Sequence, residues 1–157
     1  MNIQSSKGQD TMFQSFHQDQ RHTIHLPGTP KRCFGFFTPE GERLWVDDWS
    51  PAYFHRTIAV SLEGTVFSTG HDGEMTIWVV ADHDPDDHRI RYSRISPGVR
   101  AVLVDVHCRP EENGTAVEIR YRSTGLSPTG NAVIEAMSGP AFPAMIEAWK
   151  HRILPLL

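Results

Sequence analysis

Cysteine is scarce in this chain of 157 residues, which carries only Cys33 and Cys108, too few for a disulfide framework and not spaced as a metal knuckle. Two reduced thiols in a cytoplasm is the reading they support. No apolar run approaches the ~20 residues needed to cross a bilayer. Residues Met1 to Thr11 are rich in Gln, Ser and Asp, and have neither the basic start nor the apolar stretch of a secretory signal. The protein is therefore expected to be cytoplasmic, neither secreted nor embedded in a membrane. Positive charge is also in deficit: the formal net charge is −4 at pH 7, and without a basic stripe a nucleic-acid partner is not expected. The nine histidines include no His-x-x-x-His pair. The densest group of ligand-type residues, Asp82, His83, Asp84, Asp86, Asp87 and His88, reads as a solvated hairpin turn, so no metal is expected. No glycine-rich phosphate loop is present, no Ser/His/Asp or Cys/His set can be assembled, and no cofactor is implied.

What is present suits one globular domain. Apolar residues make up 39% and charged residues 22%, and a chain of this length buries about 70% of its unfolded surface. Residues 1–11 cannot bury enough apolar surface to offset their ordering entropy and are expected to be a mobile tail, with the domain spanning 12–157. Phe13 to Leu26 is strand-like, with His22, Ile24 and Leu26 on one face and Arg21, Thr23 and His25 on the other. Pro30 suits a first helical position, and Cys33, Phe34 and Phe37 follow at helical spacing; Thr38 and Pro39 end that helix and start a second short one.

After Pro51 the period changes to two. Strands are predicted at about 53–60, 64–69, 74–82, 88–96, 99–109 and 114–124, joined at Glu63-Gly64, His71-Asp72-Gly73, Asp84-Pro85-Asp86-Asp87, Pro97-Gly98 and Asn113-Gly114. These junctions have hairpin chemistry, so sequence neighbours should pair antiparallel. Beyond Pro128, Ala132, Val133, Ala136, Met137, Met145, Ala148, Trp149, Ile153 and Leu156 fit one face of a long C-terminal helix. Gly139-Pro140 and Pro143 should interrupt it near 138–143. The predicted architecture is α+β: a curved antiparallel sheet of about seven strands gripping that helix, with two short helices after the first strand.

Face assignments follow from parity. Val117, Ile119, Tyr121 and Ser123 alternate with Glu118, Arg120 and Arg122, so one sheet face is wet. Val102, Val104 and Val106 agree, and leave Asp105 and His107 outward, where cross-strand pairing sets them against the arginines. Ile90, Tyr92 and Arg94 share a face opposite Arg91 and Ser93. The segment Met75 to Asp82 is apolar on both sides, and periodicity does not orient it.

The order of elements resembles the Bet v 1-like, START-related superfamily often called SRPBCC. The stretch from Phe37 to Trp45, then Trp49 with Pro51, Gly64 to Phe67, Trp78, Tyr92 with Arg94, Gly114-Thr115 and Tyr121 look like one bacterial subgroup of it, over residues 16–157. Where that subgroup has Gly before the second Trp and Asp after it, this chain has Asp48 and Ser50, which predicts a different loop conformation. The resemblance implies an interior that holds hydrophobic small molecules, with aromatase/cyclase-type enzymes among plain binders.

Trp45, Trp49, Phe67, Trp78, Tyr92, Tyr121 and Met137 are large groups that should converge between sheet and helix; core packing explains each singly, a pocket wall explains the set. Arg94 on an inner face needs an acid or a ligand anion. Glu40 and Glu42 beside Asp47 and Asp48 could act as acid/base carboxylates, although a plainer role is to favour the start of a short helix. The leading expectation is a carrier or sensor of a hydrophobic or aromatic small molecule, without covalent chemistry. The alternatives are a cyclase/dehydratase-type enzyme polarising a carbonyl with Arg94, and a co-chaperone-like module using its outer sheet. A homodimer is compatible with all three.

Overall fold

A computed structural model describes residues 13–71 and 73–157; the tail expected over 1–11 lies outside the described residues. The chain runs β1 (His17–Leu26), α1 (Pro30–Gly35), a 3-10 turn (Gly41–Leu44), β2 (Ala52–His55), β3 (Val66–His71), β4 (Glu74–Asp84), β5 (Arg89–Ser96), β6 (Arg100–Glu111), β7 (Gly114–Gly125), α2 (Pro128–Ala136), α3 (Ala141–Ile153) and a last 3-10 turn (Leu154–Leu156). The seven strands form one sheet in the order β1-β7-β6-β5-β4-β3-β2, antiparallel at every step. Short hairpins dictate this for β3 to β7, while residues 56–65 link β2 to β3. Pairing β1 with β7, Ile24 opposite Val117, then closes the sheet round the C-terminal helices.

The local signals account for most boundaries. Thr29 caps α1 by accepting from Arg32 N, and Ser127 caps α2 by accepting from Gly130 N, with proline at the first turn of each. Gly98, at φ 73, makes the β5–β6 turn, a conformation that favours glycine. The strand expected over 53–60 stops at His55. There Thr57 N donates to Thr65 Oγ1 at 3.1 Å, and Ile58 and Val60 stand 89% and 91% exposed. With no partner strand beyond His55, apolar alternation alone does not make a ladder.

Asp48 takes φ 57, in the left-handed region that glycine favours and that Asp tolerates through its short polar side chain.

The C-terminal helix is interrupted between Ala136 and Ala141, with Gly139 at φ 61. Pro143 causes no second break, because it falls in the first turn of α3, where its missing N–H would have no helical partner. The interruption also resets the helical phase. Ala132, Ala136, Ala148 and Leu156, expected inside, are exposed, while Ile134, Phe142, Ile146 and Ile153 are buried. α2 lies against β7 and α3 against β1.

One hydrophobic cluster unites the inner sheet face with α1 and α3, from Ile24 and Phe37 through Val104 and Ile119 to Ile146. On β4, Thr76, Trp78 and Val80 are the buried side, which orients the strand periodicity left open. The outer face is wet: Asp105 accepts from Arg91 Nε at 2.6 Å and Arg122 Nη2 at 2.8 Å, and Arg120 forms a two-pronged pair with Asp19. No helix of the described residues is long and apolar enough to cross a membrane.

Candidate ligand-binding site

Two pockets open between the sheet and its helices. The first, ≈ 390 Å³, lies among the segment after the 3-10 turn, the β3–β4 end of the sheet and Arg152, with Trp49, Glu74 and Trp78 in its wall. The second, ≈ 330 Å³, lies beneath α2, the helix break and α3, where Tyr121, Val133, Met137, Phe142 and Met145 make it largely apolar. Arg94 and Arg100 line both, so the arginine pair stands where the two pockets meet.

An aromatic stack supports the first pocket. Phe67 stacks on Trp78 with centroids 5.9 Å apart, Trp49 meets Trp78 edge-on at 5.4 Å, and Tyr92 closes the far side of Trp78 at 5.7 Å. The ring of Trp78 in turn carries the Arg94 guanidinium 5.1 Å from its centre, a cation–π contact in a partly desolvated setting. Three indole donors are used: Trp78 to Thr69 Oγ1, Trp49 to the Pro39 carbonyl and Trp45 to the Phe36 carbonyl.

The arginines are less well satisfied. Arg94, 13% exposed, reaches Thr76 Oγ1 at 3.4 Å and Glu74 Oε1 only at 3.7 Å, too far for a hydrogen bond. Its Nε, that of Arg100 and Glu74 Oε1 are sealed from solvent without a partner. Burial, then repulsion from Arg100, pulls the Arg94 pKa down to about 10. Arg94 remains charged at neutral pH.

Of the residues singled out by sequence, Trp49, Trp78 and Arg94 line the first pocket, and Arg94, Tyr121 and Met137 the second. Trp45, Phe67 and Tyr92 are buried behind the walls; Tyr92 donates to the Phe37 carbonyl at 2.6 Å, tying the sheet to the end of α1. Arg100 escaped the sequence reading, although it shares parity with Val102, Val104 and Val106, so the alternation that placed those valines inside also pointed to it. Glu42 was offered by the sequence as an acid/base carboxylate, with a plainer role at a helix start. Its Oε2 is buried without a partner, and burial pushes its carboxyl well above the usual range. Burial likewise raises Tyr92, with the Glu42 charge adding to it. A carboxyl and two phenols, all with pKa values raised by burial, therefore sit on the inner side of the sheet with two guanidinium groups.

Among the described residues no group of three His, Cys, Asp or Glu could hold a metal. The Asp82–His88 turn uses its own ligands: Asp84 Oδ1 accepts from the Asp86 and Asp87 N–H groups, Arg89 pairs with Asp84 and Asp87, and His83 Nδ1 accepts from Leu62 N.

No family model matches the sequence, and no curated protein matches it. Solved structures do. The Mll3558 protein from Rhizobium loti is 22% identical, covering 89% of this chain and 99% of that one, with a TM-score of 0.64. Ara h 8.0201 is 12% identical with a TM-score of 0.64, over 89% of this chain and 99% of that one. This chain has the Bet v 1-like helix-grip fold. Norcoclaurine synthase from Thalictrum flavum, solved with dopamine and hydroxybenzaldehyde, shares that fold at 10% identity and a TM-score of 0.62, over 90% of this chain and 88% of that one. At these identities the likeness carries the fold and not the activity.

Proposed function

We propose that the protein binds a hydrophobic or aromatic small molecule between the sheet and the C-terminal helices, as a carrier or sensor that leaves it chemically unchanged. The observation that supports this reading most is the apolar pocket beneath α2 and α3, walled by Met137, Phe142 and Met145. Its ≈ 330 Å³ lies at the small end of the range for ligand sites. A fold shared with norcoclaurine synthase, solved in complex with the small aromatics dopamine and hydroxybenzaldehyde, is consistent with guests of that size. Titration with a neutral apolar fluorophore such as N-phenyl-1-naphthylamine tests the reading. Saturable binding at one site per chain, weakened when Met137→Arg fills the pocket with a charge, is the expected result. Linear, unsaturable enhancement would remove the pocket from consideration.

A second reading, a cyclase/dehydratase-type enzyme, is favoured by one observation. Glu42 has a sealed, unpartnered carboxyl oxygen, burial pushes its pKa well above the usual range, and a carboxyl raised in this way is suited to act as a general acid. Conversion of a bound aromatic ketone, lost in Glu42→Gln with binding retained, would move this reading ahead of simple carriage.

A further inference from the structure

Resting on the small-molecule reading, we infer that the Arg94–Arg100 pair is a carboxylate receptor and that the natural ligand is an amphiphilic monocarboxylate, its anion on the two arginines and its apolar body in the pocket under the helix break. Arg94 near the end of β5 and Arg100 at the start of β6 flank the Pro97-Gly98 turn, and both line the apolar pocket. Two guanidinium groups so placed repel each other, and the protein offers the two of them a single acid, Glu74. Arg100 forms no ion pair or hydrogen bond among the described residues, and the one acid offered to Arg94, Glu74, stands at 3.7 Å. Both Nε donors are sealed and unpartnered, so the hydrogen bonds open to a guest are those of guanidinium nitrogens that face the pocket. Planar guanidinium groups match a carboxylate in two-pronged geometry better than any other single anion-binding side chain.

A third donor is at hand. Tyr121 lines the same pocket, its hydroxyl makes no hydrogen bond among the described residues, and the charges of both Arg94 and Arg100 reach it. Beyond these three groups the lining is Ser123, the Gln18 and Gln20 side chains already bonded to the helix break, and the apolar Val133, Met137, Phe142 and Met145. Charge is thus confined to the two arginines while most of the remaining wall is apolar, the arrangement an amphiphile requires.

The test compares decanoate with 1-decanol, equal in chain length and differing in the head group, as competitors of N-phenyl-1-naphthylamine at neutral pH. Decanoate is expected to bind at least about tenfold more tightly, the ratio a charge-assisted hydrogen bond provides. Arg94→Met and Arg100→Met should each erase most of that ratio, weakening decanoate far more than decanol, and Arg94→Lys should retain part of it. Circular dichroism confirms that the variants fold, and the acid-to-alcohol ratio of the unaltered protein stands as a test without them. Equal affinities for acid and alcohol, or an undiminished ratio in both methionine variants, would overturn the carboxylate receptor and leave the apolar pocket intact. Failure of the neutral fluorophore to saturate would overturn both.

Discussion

Glu42 and Tyr92 show how single polar groups are treated differently inside this sheet. The Tyr92 hydroxyl has an acceptor, the Phe37 carbonyl at 2.6 Å, and Tyr92→Phe strands that buried carbonyl. A loss of about 1–2 kcal/mol is expected in urea unfolding, and an unchanged midpoint would show that water replaces the lost partner. Glu42 has no such support. Its folded pKa lies above the ordinary 4.5, so the folded chain holds the proton after the unfolded chain has released it. The stability linked to this proton is whole below the ordinary carboxyl pKa and is lost as pH rises toward the raised value. Glu42→Gln removes the titration. Urea midpoints of the two proteins should converge near about pH 4 and separate by about pH 8, with the variant the more stable; parallel profiles would show that Glu42 ionises freely.

At the scale of elements, the placement of α2 against the β5–β6 turn depends on a missing side chain. A Cβ on Gly130 would lie 1.6 Å from the Val99 carbonyl oxygen, a backbone atom that cannot rotate away, so α2 would have to shift from β7. Gly130→Ala is expected to cost several kcal/mol, on the scale of overpacking a core, read as a lowered denaturant midpoint. A helix propensity gain would have the opposite sign, which makes the direction decisive. The helix break acts on the neighbouring pocket. Gln20 Nε2 donates to the Met137 carbonyl and Gln18 Nε2 to Ser138 Oγ, fastening the break to β1, and Met137 roofs the apolar pocket from that segment. Sequence showed that the helix must break here; it did not show that the phase would reset, because residues after an interruption no longer share the screw axis of those before it.

For the whole molecule, a binder whose pocket lies between the sheet and its helices must couple occupancy to global stability. A ligand present at 100 times its Kd should add about 2.7 kcal/mol. Decanoate should therefore raise the Tm more than decanol at equal concentration, and a Tm insensitive to both would exclude occupancy of this site. Much of the architecture was legible beforehand, because the signals behind it are local. Period-two alternation placed Val102, Val104, Val117 and Ile119 inside, turn residues set the hairpins, Thr29-Pro30 and Ser127-Pro128 started helices, and parity put Arg94 on the inner face. What only the tertiary structure decided is non-local. The inward face of β4, apolar on both sides, was chosen by the register of β3 and β5 against it. The difference between Trp78, which lines a pocket, and Phe67, which lies behind it, depends on where the chain from Val46 to Trp49 folds back. Glu42 is half-buried with its Oε2 sealed from solvent, which nothing in its own short 3-10 turn announces. A pocket is a volume left unfilled between elements distant in sequence, and no stretch of chain specifies by itself the space its partners leave empty.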